Sequence, residues 1–316
     1  MPSVTPRSAL LRLAVLGGIW GTSFLFIKVA LEGLAPLQVA LGRSVAGAAA
    51  LWLIVALRRM PVPRAARTWG HIAVLAVVGV IVPFLGFAWA GERVSSGVSG
   101  VYNATTPLMT MLIALAVLSE ERATRERVAG LLLGFVGVVV VLGPWRGADD
   151  DNQVSGQLAA LAASASYGVA LNYARRFLST TGISPVVLSS CQLSIGVVVL
   201  ALAAPLAGWQ PVTLTSRVVG AMLALGVLGT GVAFVIYHGL IRDVGATTAS
   251  MVTFLIPVVA VALGVVVLDE PLGWNLFVGG AVVIFGVALA EGRLRRRRRV
   301  PVPSAATTEA VPAAGR

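Results

Sequence analysis

The chain has 316 residues, 57% of them hydrophobic and only 12% charged, with a mean hydropathy of +0.91 and a formal net charge of +11. Soluble domains carry roughly 25% charged residues, so this composition excludes an ordinary water-soluble fold and points to a bilayer. The basic residues are divided among short loops and are not interleaved with aromatics, which speaks against nucleic acid as a partner.

Ten apolar stretches follow one another, near residues 9–31, 37–57, 70–90, 96–118, 126–143, 156–177, 184–204, 218–240, 247–268 and 273–291. Most lack the polar face of a soluble helix, and each is long enough to cross about 30 Å of hydrocarbon. Backbone groups in lipid must bond within their own segment, so the stretches are read as α-helices. The first has Arg7 and Arg12 before it, as a secretory signal would. It is too long for a signal core, carries Lys28 near its end and shows no clear small-residue cleavage site, so it is read as a retained helix.

Orientation follows from where Lys and Arg fall in the short loops. With the N-terminus inside, 19 of the 24 lie on the inner side, and only Arg93, Arg146 and Arg217 lie outside. Both termini are therefore expected in the cytoplasm. Lys28 and Arg43 are the two cations left inside helices. Cys191 stands alone, so neither a disulfide framework nor a cysteine metal cluster is expected.

The chain also repeats itself. A shift of 150 residues places Phe84 on Phe234, Phe87 on Tyr237, Pro107 on Pro257, Glu120 on Glu270 and Gly130 on Gly280. Earlier in the halves, a shift of 147 lays Ile19–Phe24 on Ser166–Leu171, and 149 lays Gly47 on Gly196. The chain thus divides into an N-terminal segment 1–8, a five-helix unit 9–143, an outer linker 144–155, a second unit 156–291 and a basic tail 292–316. Five is odd, so the second unit must enter the membrane from the opposite face. An all-α integral membrane protein of two inverted repeats is typical of secondary transporters, whose two halves exchange conformations around one site.

The "IWGTSF…K" of helix one, Arg43, the "P…EE" and "P…DEP" ends of helices four and nine, and the glycine-rich fifth and tenth helices resemble EamA-type members of the drug/metabolite transporter superfamily. The resemblance covers residues 12–291. It implies ten helices around a central cavity, alternating access, and export of small metabolites or amino acids. Small cationic-drug exporters of the wider superfamily rely on a membrane-embedded glutamate. No Asp or Glu stands near the middle of any span here, so that mechanism is not supported.

A charge inside hydrocarbon costs at least about 2.5 kcal/mol on insertion scales, so it faces a partner, a bundle interior or a wet cavity. Arg43 begins about two turns into helix two, and its fork suits a carboxylate; an internal structural pair is the alternative. Lys28 lies near the outer end of helix one, where it can snorkel. The repeat maps Arg43 onto Gln192 and Lys28 onto Arg175, an asymmetry suited to one oriented ligand. Trp20, Tyr102, Asn103, Gln192, Tyr237 and Thr253 complete the candidate substrate contacts, with Asn103 and Thr253 a repeat-matched pair one turn before Pro107 and Pro257. Each proline frees a carbonyl and marks a bend or a re-satisfied polar spot. Glu120, Glu121 and Glu270 are read as helix-ending acids. His238 raises the alternative of proton coupling.

No phosphate loop, HExxH-type metal site or nucleophile triad is present, so an enzyme, a cofactor and a metal are not expected. Gly17 to Gly21 and Gly130 to Gly134 are spacings that let helices approach closely, within the chain or in a homodimer. Arg295 to Arg299 can lie on anionic lipid, and the Pro- and Ala-rich tail beyond is expected to be disordered. The sequence therefore points to a permease for a small organic solute, with a multidrug exporter or a non-transporting sensor as alternatives.

Overall fold

The computed structural model describes residues 6–117, 124–142, 151–206, 210–244, 249 and 251–292. All regular structure among them is helical: α1 (Pro6–Leu31), α2 (Pro36–Leu57), α3 (Ala66–Ala76), α4 (Val82–Gly91), α5 (Ser96–Asn103), α6 (Thr106–Val117), α7 (Arg125–Leu142), α8 (Asp151–Phe177), α9 (Pro185–Ala203), α10 (Ser216–Leu223), α11 (Ala233–Val244), α12 (Val252–Leu268) and α13 (Trp274–Ala290). Two wider π-helical segments, Val77–Ile81 and Ala224–Val232, join α3 to α4 and α10 to α11 without a loop. Seven helical stretches are long and apolar enough to cross a membrane. Shorter apolar helices α12 and α13, and the 18-residue α7, fall on the other expected stretches.

Local chemistry sets several boundaries. Pro36 opens α2, where its missing N–H costs nothing, and the Gln38 amide oxygen accepts the Ala35 N–H at 2.8 Å. The same side chain donates to the Gln210 carbonyl at 2.8 Å, tying the loop before α2 to the loop before α10. Asp269 takes a left-handed backbone with φ 52° and closes α12, while the Glu270 N–H bonds back to Gly264.

The two prolines act differently. Pro107 is the second residue of α6, after a turn that splits the fourth stretch into α5 and α6, where a single bent helix was expected. The Tyr102 carbonyl beside the break accepts from the Thr105 N–H at 3.0 Å, the Thr105 hydroxyl at 2.6 Å and the Ser164 hydroxyl of α8 at 2.8 Å. Pro257 is buried within continuous α12.

Helices pair across the halves. Glycines bring α7 and α13 into backbone contact: a Cβ at Gly130 would stand 2.4 Å from the Ala290 nitrogen, and one at Gly137 would stand 2.6 Å from the Val283 nitrogen. Gly17 and Gly21 of α1 admit Leu255 and Val259 of α12 in the same way. These glycine faces are filled inside one chain and so lend a homodimer no support. Gly97 and Gly100 seat α5 on α12, and Phe24, Phe87 and Ile256 join the main core.

Candidate functional site

The π-helical segments lie at repeat-matched positions, since the 150-residue shift carries 77–81 onto 227–231. A π turn widens the helix and breaks its regular ladder, a feature common at functional sites. Here both segments are met by a side chain of the helix that is first in the opposite half. Trp20 of α1 donates its indole N–H to the Gly229 carbonyl at 3.1 Å, and Ser166 of α8 donates its hydroxyl to the Val78 carbonyl at 2.7 Å. Trp20 also packs on Tyr237 with ring centroids 5.1 Å apart, and its repeat counterpart Tyr167 stacks on Phe87 at 6.2 Å.

Arg43 of α2 stands between these segments. Its Nε–H donates to the Thr230 hydroxyl at 3.1 Å, and its guanidinium lies 4.0 Å over the Phe84 ring. Tyr167 packs on the cluster that contains Phe84 and lies within electrostatic range of the guanidinium. No carboxylate among the described residues pairs with Arg43, whose side chain is half-buried. A cation held on an aromatic face, with the far edge of its fork unpaired, can receive a planar anion.

A crevice of about 650 Å³ opens at the start of α2. It is lined by Ala35–Gln38 at the start of α2, by Leu85, Gly86, Trp89 and Glu92 of α4, and by Ala159, Ala204 and Gln210. Leu85 and Gly86 directly follow Phe84, and Arg43 lies five residues beyond Gln38, about 7 Å further along the axis of α2. At the mouth, the Arg93 guanidinium covers Trp89 at 3.5 Å.

Lys28 faces a carboxylate of the opposite half. Its Nζ lies 3.8 Å from the Glu270 carboxylate, which accepts from the Ser96 N–H at 2.8 Å and the Ser96 hydroxyl at 2.7 Å. Glu270 thus caps α5 from the opposite half, a more specific role than ending its own helix. A Cβ on Gly264 would collide with this carboxylate. Glu120, Glu121 and Arg295 to Arg299 lie outside the described residues.

Other expected contacts separate. Tyr102 is 1% exposed and its hydroxyl donates to buried Gln157 at 2.7 Å, a bond between α5 and α8. Asn103 is half-buried at the end of α5, and Thr253 is half-buried near the start of α12. The Gln192 amide oxygen is buried without a hydrogen-bond partner among the described residues. His238 rests between Phe234 and Tyr237, at ring distances of 6.1 and 5.7 Å. Thr230, Phe84 and Tyr167 escaped the sequence reading, although the repeat already aligned Tyr167 with Trp20 and Phe84 with Phe234.

These observations define a duplicated, helical, multi-pass membrane protein with a cation, Arg43, held inside its helices. The chain belongs to the EamA-like transporter family, whose model matches twice, over residues 8–143 and 154–291. It is 26% identical to "uncharacterized transporter YoaV" of Bacillus subtilis over 288 residues, covering 89% of this chain and 95% of that protein. It is also 26% identical to "uncharacterized inner membrane transporter YedA" of Escherichia coli K12, covering 86% of each. A solved crystal structure shares the fold, with a TM-score of 0.64 over 92% of this chain and 100% of the other at 24% identity. Family and relatives point to a membrane transporter and away from an enzyme.

Proposed function

We propose that this protein is a ten-span, inverted-repeat secondary transporter with both termini in the cytoplasm. It exports small organic metabolites, amino acids or organic anions across the cytoplasmic membrane by alternating access. The observation that carries the substrate reading is Arg43: a permanent cation at bundle depth, lying on Phe84 and bonded to Thr230, with no carboxylate partner among the described residues. Such a charge is costly in hydrocarbon unless it meets water or an anion. Trp20, Tyr237, Gln192, Asn103 and Thr253 are the further candidate contacts.

The test is a thermal-stability screen of purified protein, wild type beside Arg43→Gln, against amino acids, organic acids, lipophilic cations and nucleotide sugars. A ligand at about 100 times its dissociation constant stabilises by about 2.7 kcal/mol. Carboxylates are expected to stabilise wild type and not the variant. Equal responses, or responses to cations and apolar drugs alone, would make Arg43 structural and favour a multidrug exporter. Counterflow in inside-out vesicles then reads direction.

A further inference from the structure

We infer that Thr230 is the positioning residue that aims Arg43, so that the π-helical segment Ala224–Val232 forms one half of an anion-recognition unit. The inference rests on the reading of Arg43 as a carboxylate anchor. A guanidinium carries five N–H groups; one goes to Thr230, and four on the two terminal nitrogens stay available for a bidentate partner. The Phe84 ring holds the guanidinium carbon 4.0 Å from its centroid, and the bond to Thr230 ties down the Nε edge of the group. The fork is thereby set before the ligand arrives.

Thr230 is suited to this task. It is fully buried, and its hydroxyl donates to the Leu225 carbonyl five residues earlier at 3.3 Å. With its proton committed there, the oxygen presents only lone pairs to Arg43. Backbone approach fixes the spacing, because a Cβ at Gly47 would stand 2.8 Å from the Thr230 methyl, and one at Gly226 would stand 2.4 Å from the Ala46 Cβ.

The first half supplies an internal control. The repeat puts Val80 in the place of Thr230, Gln192 in the place of Arg43 and Gly196 in the place of Gly47. A Cβ at Gly196 would stand 3.0 Å from a Val80 methyl, so the same helix-on-π contact forms with valine. Packing alone does not require the hydroxyl; the cation does.

The experiment uses full-length protein in detergent, with benzoate as the probe and benzamide as its uncharged match, chosen because Phe84, Tyr167 and Phe87 give the surroundings an aromatic character. Wild type is expected to bind benzoate in preference to benzamide. Thr230→Val should raise the benzoate dissociation constant about tenfold, leave benzamide binding unchanged and keep the unliganded melting temperature within roughly 2 °C. Thr230→Ser should restore benzoate affinity to within about twofold of wild type. Should Thr230→Val not fold, Thr230→Ala makes the same comparison. If the hydroxyl-free variant binds benzoate as wild type does while Arg43→Gln does not, the positioning role is overturned and the anchor stands. If Arg43→Gln keeps wild-type affinity, or wild type does not prefer benzoate, the anchor reading falls and this inference with it.

Discussion

Val80 and Thr230 occupy one place in the two halves, each against a glycine of a neighbouring helix, yet only Thr230 meets a cation. Around them the halves agree closely. Both have a π segment at the same register, both clamp it with a side chain from the opposite half, and both set an aromatic pair beside it. They part again at the fourth and ninth stretches, where Pro107 is the second residue of α6 and Pro257 lies further inside α12. Duplication has thus kept the backbone contacts that hold the bundle, while the polar positions beside them differ. Symmetric packing suits exchange between two conformations; asymmetric charge suits one bound orientation.

The comparison can be broken at its shared packing. Gly137→Ala puts a methyl into the Val283 backbone and is expected to cost about 3 kcal/mol, read as a large fall in thermal unfolding temperature. A shift under one third of that would mean that α7 and α13 slide freely. Glu270→Gln comes next, at about 2 kcal/mol, because it weakens charge-assisted bonds to the start of α5. Lys28→Met should cost well under 1 kcal/mol, since its ion pair is long and partly exposed.

Smaller effects sharpen the chemical difference. Gln192→Leu removes a buried amide oxygen that has no partner and should change stability by no more than about 1 kcal/mol, most simply upward. The same change at Arg43 should abolish carboxylate-dependent stabilisation in the ligand screen. Gly70→Ala and Gly220→Ala, repeat-matched and open on the Cβ side, should each raise stability by up to about 1 kcal/mol. Unequal responses at this last pair would show that the halves differ in local packing as well as in charge.

Much of the fold was legible in the sequence because hydrocarbon imposes a simple rule: long apolar stretches become helices, and short charged stretches become their ends. The expected 37–57 and the observed Pro36–Leu57 differ by a single residue at the start. The π segments were not legible. Val77–Ile81 is as apolar as its flanks, and nothing in its composition separates a wider turn from a regular one. Arg43 could be singled out because charge in an apolar run is conspicuous. Its partner could not, because one threonine among many small residues gains meaning only when α2 is laid against it. Lys28 and Glu270 show the same limit: 242 residues separate two groups whose pairing depends on how α12 ends.

The contact between α7 and α13 has a consequence for how the two halves can diverge. Where Gly130 faces Gly286 and Gly137 faces Gly279, each backbone occupies the space that a side chain on the other would need. A mutation to a larger residue on one strand of this seam cannot be accommodated by a smaller residue opposite, since glycine is already the smallest. The two repeats are therefore locked together here, with no compensating substitution open to either, while Thr230 and Val80 were at liberty to take up different trades.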